Sequence, residues 1–432
     1  MVQFLKKITV FVTAGAAGSL LSVAGYAQNA SLPTSSAPSA YGESVSTGVA
    51  AGSSTYRSLS PPQGAGGLDV SGLSLSLSLG ASWHSNPERE AEDRTESDAA
   101  MTLSPRISYS NELGRHQYEV GYSAGSESYG EFEDEDSDWH RVHGALKLNL
   151  TEKLVGDVYT SRTEGEEERG AAASRVDADE EDEYRFDVLG ARITLGRRSN
   201  PLQVYLGGEV NELSFLNNDQ EFRDRESTRV EGGLFFNVSP RTAFFVHASN
   251  LEYDYLAGDP SLDNTEQALT LGVAWEPSDR ISLTFEAGEQ TKDFDDPLLE
   301  SYEGTTYTGK LNWTPRDRTG VSLYASRTTE ESPDVDASYY VSELAGIDLS
   351  QQLGERGSFS AYYAQSKNKF SNSREDRVTD YGIALGYSAY SWLELGASYN
   401  IIDYESSEAD QSYDDEIFSV FMKIAPNLGG DS

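Results

Sequence analysis

From residue 73 onward the chain alternates. Leu73, Leu75, Leu77, Leu79, Ala81 and Trp83 take turns with Ser74, Ser76, Ser78, Gly80 and Ser82. Successive residues of a strand point to opposite faces, so this segment predicts a strand with one apolar face and one small, polar face. Eleven residues at ~3.3 Å each, tilted by ~40°, rise about 28 Å, enough to cross the ~25 Å apolar band of an outer-membrane barrel. The same alternation returns in Met101, Leu103, Ile107 and Tyr109, in Val142, Gly144, Leu146 and Leu148, and in Leu269, Leu271, Val273 and Trp275. It returns again in Ile281, Leu283, Phe285 and Ala287, and near the end in Phe418, Val420, Met422 and Ile424.

Eighteen such segments are counted, beginning near residues 73, 99, 116, 140, 154, 184, 202, 228, 242, 267, 281, 305, 321, 339, 358, 378, 392 and 416. Those near 154, 184, 321 and 339 alternate most weakly. In the segment near 184, Leu189, Ala191, Ile193 and Leu195 share a face with Arg185 and Asp187, which points to a bulge or to a strand running past the membrane.

The connections alternate as well. Short ones such as "NELG", "SPR", "EPSDR" and "TPRDRTG" interleave with long ones centred near residues 91, 131, 173, 219, 257, 297, 332, 371 and 408. Outer-membrane barrels place tight turns on the periplasmic side and long loops outside. The turns "WEPSDRISL" and "WTPRDRTGVSL" are near repeats, with Pro suited to position i+1 of a type I turn. Trp275, Trp313 and Trp392 fall beside short turns, and Trp83 and Trp139 beside long loops. Tryptophan prefers the headgroup level, so these five are expected to form an aromatic girdle. A soluble solenoid or sandwich has no reason to confine tryptophan to two levels. The fold expected is all-β: a transmembrane, antiparallel, up-and-down β-barrel of about 18 strands behind a disordered N-terminal segment.

Composition fits that reading. Only 37% of residues are apolar, yet 11% are aromatic, too many for a disordered chain. A barrel resolves the conflict because half of every strand faces a wet lumen. The net charge of −38 excludes nucleic acid as a partner through simple electrostatics. Cysteine is absent, which excludes thiol chemistry and suits an oxidising compartment. Lys6 and Lys7, the apolar run from Ile8 to Val23, and Gly25 and Ala27 before Gln28 have the order of a cleaved signal peptide. The expected organisation is a leader over 1–27, a flexible periplasmic linker over 28–72, the barrel over 73–424 and a short periplasmic tail over 425–432.

Parity assigns the polar face. Arg106, Glu119, Arg141, His143 and Lys147 are expected to face the lumen, as are Glu209, Arg229, Glu231 and His247. Glu286, Lys310, Asp380 and Glu394 complete the set. The lining carries both signs, so it does not name the charge of a cargo. No catalytic residue, cofactor or metal site is expected. Gly121-Tyr122-Ser123-Ala124-Gly125 matches the G-x-S-x-G pattern, but that motif needs a strand-to-helix elbow and here it ends a strand. His84 and His140 lie near the outer rim, next to Ser85 and close to Asp138, and sequence neighbours on a strand face opposite ways. Acidic runs such as "EREAEDRTESD" and "VDADEEDEY" read as a solvated anionic collar and not as a defined ion site.

The stretch "LSPRISYS…GRHQYEVGY", followed by an acidic loop and an aromatic–His pair, resembles the putative beta-barrel porin 2 family over roughly residues 73–160. The resemblance implies an outer-membrane barrel linked to exopolysaccharide or capsule production, acting as a pore or accessory component with no catalysis of its own. Two other readings stand beside it: a general diffusion porin, and a barrel hydrolase acting on lipid or surface polymer. A plugged structural or adhesive barrel is a further one. Expected partners are outer-membrane lipid and lipopolysaccharide, the barrel assembly machinery, a polysaccharide and periplasmic export proteins. Both termini are expected in the periplasm. The last strand stops near Ile424 and "APNLGGDS" follows, without the terminal Phe common among barrels, which leaves an internal assembly signal to be expected.

Overall fold

In the computed structural model the described residues are 72–91, 95–167, 181–257, 262–334, 336–409 and 411–426. The expected leader and nearly all of the expected linker lie outside them.

Eighteen strands follow one another: β1 (Gly72–His84), β2 (Asp98–Leu113), β3 (His116–Tyr129), β4 (Ser137–Asn149), β5 (Leu154–Glu167) and β6 (Asp182–Leu195). Then come β7 (Leu202–Phe215), β8 (Arg225–Ser239), β9 (Thr242–Tyr255), β10 (Asn264–Ser278), β11 (Ile281–Phe294) and β12 (Tyr302–Arg316). The chain ends with β13 (Thr319–Glu331), β14 (Tyr339–Leu353), β15 (Gly357–Phe370), β16 (Glu375–Tyr390), β17 (Leu393–Ser406) and β18 (Tyr413–Ile424). Every strand pairs antiparallel with its chain neighbours, and β1 pairs with β18 from Leu77↔Ile424 to His84↔Ile417. The sheet therefore closes into an up-and-down barrel without edges, the form in which every backbone group is satisfied inside a membrane.

Long and short connections alternate around it. Residues 114–115, 240–241, 279–280, 317–318 and 391–392 are the tightest turns, all at one end. Gly114 has a φ of +66°, a conformation that a side chain would strain, and so suits its two-residue turn. The "WEPSDR" and "WTPRDR" repeats have one structural solution: the register shifts between Trp275 and Ser278 and between Trp313 and Arg316, just before the turn. Each turn then reaches the next. Arg241 Nη2 lies 2.5 Å from Asp279 Oδ1, and Arg280 Nη2 lies 2.5 Å from Asp317 Oδ1.

Outward positions are large and apolar and lie uncovered: Leu271 is 66% exposed, and Leu206, Leu269 and Ile383 are also exposed. That is the surface hydrocarbon would cover. In β6 the register with both neighbours is unbroken, so no bulge accounts for Arg185 and Asp187. They pair on the outer face instead, Arg185 with Glu164 at 2.5 Å and Asp187 with Arg162 at 2.6 Å, where the strand runs on beyond its apolar part.

Inward, aromatic rings lie flat on the wall. Tyr205 pairs with Gly233 and Phe245 with Gly272, and a Cβ on either glycine would come within about 2.3 Å of the ring. The absent side chain gives the ring its bed, an arrangement that also fixes register.

Candidate functional site

The barrel interior has two unlike walls. Over β5–β11 the inward side chains form a connected polar network. Tyr159 Oη donates to Glu209 at 2.6 Å, and Arg192 Nη2 lies 2.5 Å from Glu231. His247 stands between two carboxylates, 3.7 Å from Glu231 and 3.5 Å from Glu286, and Thr270 Oγ1 donates to Glu286 at 2.5 Å. Tyr205, under the Arg192 guanidinium, packs with Phe235, Ala243, Phe245 and Ala274 in a buried cluster. Over β12–β18 and β1, small inward residues such as Ser322, Ser360, Ser398 and Ser78 alternate with large ones such as Tyr324, Tyr362 and Phe421, and hydrogen-bonded groups are fewer.

The residues assigned by parity occupy this interior as follows. Glu119 lies 3.3 Å from His143, and Lys147 is buried opposite Asp157. Arg106 and Arg141 both stand opposite Ser123. Arg229 stands opposite Glu209, Lys310 opposite Thr284 and Tyr324, and Glu394 opposite Lys423. Asp380 accepts the Tyr362 hydroxyl at 2.6 Å. Arg192, Asp157 and Lys423 were not named from sequence, although the same parity that places Leu189, Ala191 and Ile193 outside puts Arg192 inside.

Trp83, Trp275 and Trp313 stand exposed on the outer face, and Trp392 is exposed in the 391–392 turn. Trp139 shares the face of Arg141 and His143 and lies over Gly125, its cross-strand partner, so it belongs to the inner wall and not to an outer girdle. Its place beside a long loop gave its level, but parity gives its face.

At the long-loop end one hairpin leaves the wall. Beyond Tyr307↔Arg327, β13 is no longer paired with β12, although β12 begins at Tyr302 and β13 runs to Glu331. The β13–β14 hairpin leans inward there and stays paired with β15 as far as Tyr340↔Phe370. By parity Thr329, Glu331, Tyr339 and Val341 belong to the outer face, yet they are buried against inward side chains of β9–β12. Gln290 Nε2 donates to Thr329 at 2.6 Å, Thr329 Oγ1 donates to Glu266 at 2.8 Å, and Tyr255 Oη donates to Glu331 at 2.5 Å. Lys292, fully buried, pairs with Glu331, and Tyr339 packs on Phe294 and Tyr302. On the other face of the hairpin Tyr340 is buried against Phe370 and Ala337. Tyr255 is on β9 and Glu331 on β13, four strands apart, so the hairpin leans well into the mouth.

Further ion pairs stand at this end. Arg223 holds Glu167 at 2.9 Å and Asp182 at 3.1 Å over the Phe215 ring, and Arg374 joins Asp334 to Asp376, each at 2.7 Å. In the neighbouring loop burial pushes the Asp224 carboxyl above its ordinary value, against a hydrogen bond from the Phe215 N–H.

One cluster has the connectivity of a hydrolase. Ser82 Oγ lies 3.2 Å from His84 Nε2, and His84 Nδ1 lies 3.2 Å from Asp415 Oδ2. Sequence neighbours did not reveal it, because the partners are two and 331 residues away. Glu127 decides its role. Ser82 donates to Glu127 Oε1 at 3.1 Å, so an oxyanion formed by serine attack would grow beside a carboxylate, where catalysis needs N–H donors. The cluster instead ties β1, β18 and β3 together at the barrel seam. Ser123, within G-x-S-x-G, lies mid-strand in β3 with no elbow. Among the described residues no group of three or more His, Asp or Glu side chains is arranged to hold a metal ion.

The sequence family described as Putative beta-barrel porin 2 matches residues 73–425. No curated protein matches the chain. Among solved structures, a BenF-like porin from Pseudomonas fluorescens Pf-5 is 12% identical, with 82% of this chain and 99% of that one covered and a TM-score of 0.44. OccK2 (OpdF) from Pseudomonas aeruginosa is 11% identical over 83% of this chain and 98% of that one, with a TM-score of 0.46. OccK9 (OpdG) from the same organism is 12% identical over 83% and 99%, also with a TM-score of 0.46.

Proposed function

The chain belongs to the putative beta-barrel porin 2 family, and from that premise we propose that this outer-membrane β-barrel is a passage for hydrophilic material, serving exopolysaccharide export as pore or accessory component without catalysis of its own. The observation that carries the reading is the polar interior of a closed 18-strand sheet. Barrels of this size enclose an aqueous channel unless something folds into them. Here something does, at one end. A hairpin that leans into the mouth on buried polar contacts favours a regulated passage. The family resemblance supports polysaccharide as the cargo.

In this reading the long loops face outward, and the short turns and both chain ends face the periplasm. Lipopolysaccharide contacts the outer collar, the assembly machinery inserts the barrel, and periplasmic export proteins meet the short-turn rim. General diffusion of small solutes is the second reading. Deletion in the native host separates the two: loss of extracellular polymer with unchanged small-solute uptake supports export, and the reverse outcome supports the porin.

A further inference from the structure

A strand that leaves its neighbour abandons a ladder. On the β13 side, residues Tyr302–Thr306 of β12 have no strand partner, although their other edge is paired with β11 as far as Lys292↔Tyr302. Across from them, Thr328–Glu331 of β13 still have strand geometry and still pair with β14. Continuing the register set by Tyr307↔Arg327 would place Thr306 opposite Thr328, Thr305 opposite Thr329 and Glu303 opposite Glu331. Both halves of the missing ladder are therefore built, and they part at the Tyr307/Arg327 pair.

We propose that the tip of the β13–β14 hairpin is a gate that hinges at the Tyr307/Arg327 pair, closed when it leans into the mouth and open when β13 zips onto the free edge of β12. This deepens the pore reading and rests on it.

Two opposed sets of contacts make the element bistable. Closed, Glu331 is held by Lys292 and Tyr255, and Thr329 by Gln290 and Glu266. Open, the hairpin gains backbone hydrogen bonds to β12, but Glu331 then faces Glu303, and like charges directly opposite on a sheet repel. That repulsion holds the gate closed from the open side, as the Lys292 latch holds it from the closed side. The swing also explains an arrangement otherwise costly: a long-loop tip in which Ser332, Pro333, Ala337 and Ser338 are all buried. On its other side the hairpin keeps its ladder to β15, so the motion is that of a flap fixed along one edge.

The experiment is single-channel recording of the full-length mature barrel in planar bilayers in potassium chloride, with strand content checked by circular dichroism. Wild type should be mostly closed, with brief openings. Lys292→Met should raise open probability at least tenfold. Glu303→Lys, which touches no latch residue and gives Glu331 a partner only in the zipped state, should raise it too. In the cysteine-free background, Gln290→Cys/Thr329→Cys bridged by a short bifunctional thiol reagent should abolish openings, and reduction of a cleavable bridge should restore them. Openings that persist unchanged through the bridge would overturn the gate while leaving the pore intact, as would Lys292→Met and Glu303→Lys both leaving open probability at the wild-type level. If a folded variant with residues 330–340 replaced by a short Gly-Ser turn conducts nothing, the pore reading falls and the gate with it.

Discussion

The two ends of this barrel use ion pairs in opposite ways. At the short-turn rim, Arg241–Asp279 and Arg280–Asp317 link successive turns in water, with side chains half or more exposed. At the mouth, Lys292–Glu331 and Arg223–Glu167 are almost wholly buried. Exposed pairs contribute about 0–1 kcal/mol, because solvent screens them and two long side chains lose freedom. Buried pairs are different. Their formation can be close to neutral, yet removing one partner strands a charge in a poor solvent and costs about 3–5 kcal/mol. The rim is thus held by its backbone ladder and decorated by charge, whereas the mouth is held in one conformation by charge after its ladder has parted.

Glu331→Ala should break the comparison most strongly. About 3–5 kcal/mol of the closed conformation should go, and the loss should be local. Hydrogen exchange should change only over residues 302–306 and 328–331, where β13 trades its buried contacts for a ladder to β12, with the rest of the barrel unchanged; uniform loss would mean the hairpin is not a separable unit. Next comes the belt between the two ends. Leu271→Arg puts a guanidinium on the outward face near its middle, at about 2–4 kcal/mol, and should lower the yield of assembled barrel. Insertion at the wild-type level would show that this face does not meet hydrocarbon. Gly272→Ala acts from the opposite face: the new Cβ meets the Phe245 ring, and about 1–3 kcal/mol of overpacking should appear as a lower urea midpoint. Arg280→Ala at the rim should change that midpoint least, by about 1 kcal/mol or less. A large effect there would erase the contrast between the ends.

Thr270 shows where alternation stops informing. Parity alone marks it as an inward position where arginine should be much milder than at Leu271. The structure fills the space: Thr270 is buried and bonded to Glu286. Thr270→Arg is therefore expected to perturb as well, through packing and not through lipid.

The same limit explains the weak segments near 321 and 339. Those strands become β13 and β14, and at their far ends both faces are covered by protein, so apolar and polar positions no longer sort into lipid and water. Tyr339 and Tyr340 are adjacent, and both are buried. The segment near 184 is weak for another reason, since β6 outruns the apolar belt and its outer face there carries ion pairs. His84 and Asp415 were each readable as polar inward residues, but their contact depends on closure of the sheet at β1 and β18.

What the amino-acid order determined by itself was the part governed by period two: eighteen strands, their outward faces, and the alternation of tight turns with long loops. A strand has only two sides, and two solvents sort its residues without help from distant chain. Which inward groups meet, and that one hairpin leaves the wall to lean into the mouth, was decided by the tertiary structure. Those contacts join residues dozens to hundreds of positions apart, and their energies exist only after closure has excluded water from between them.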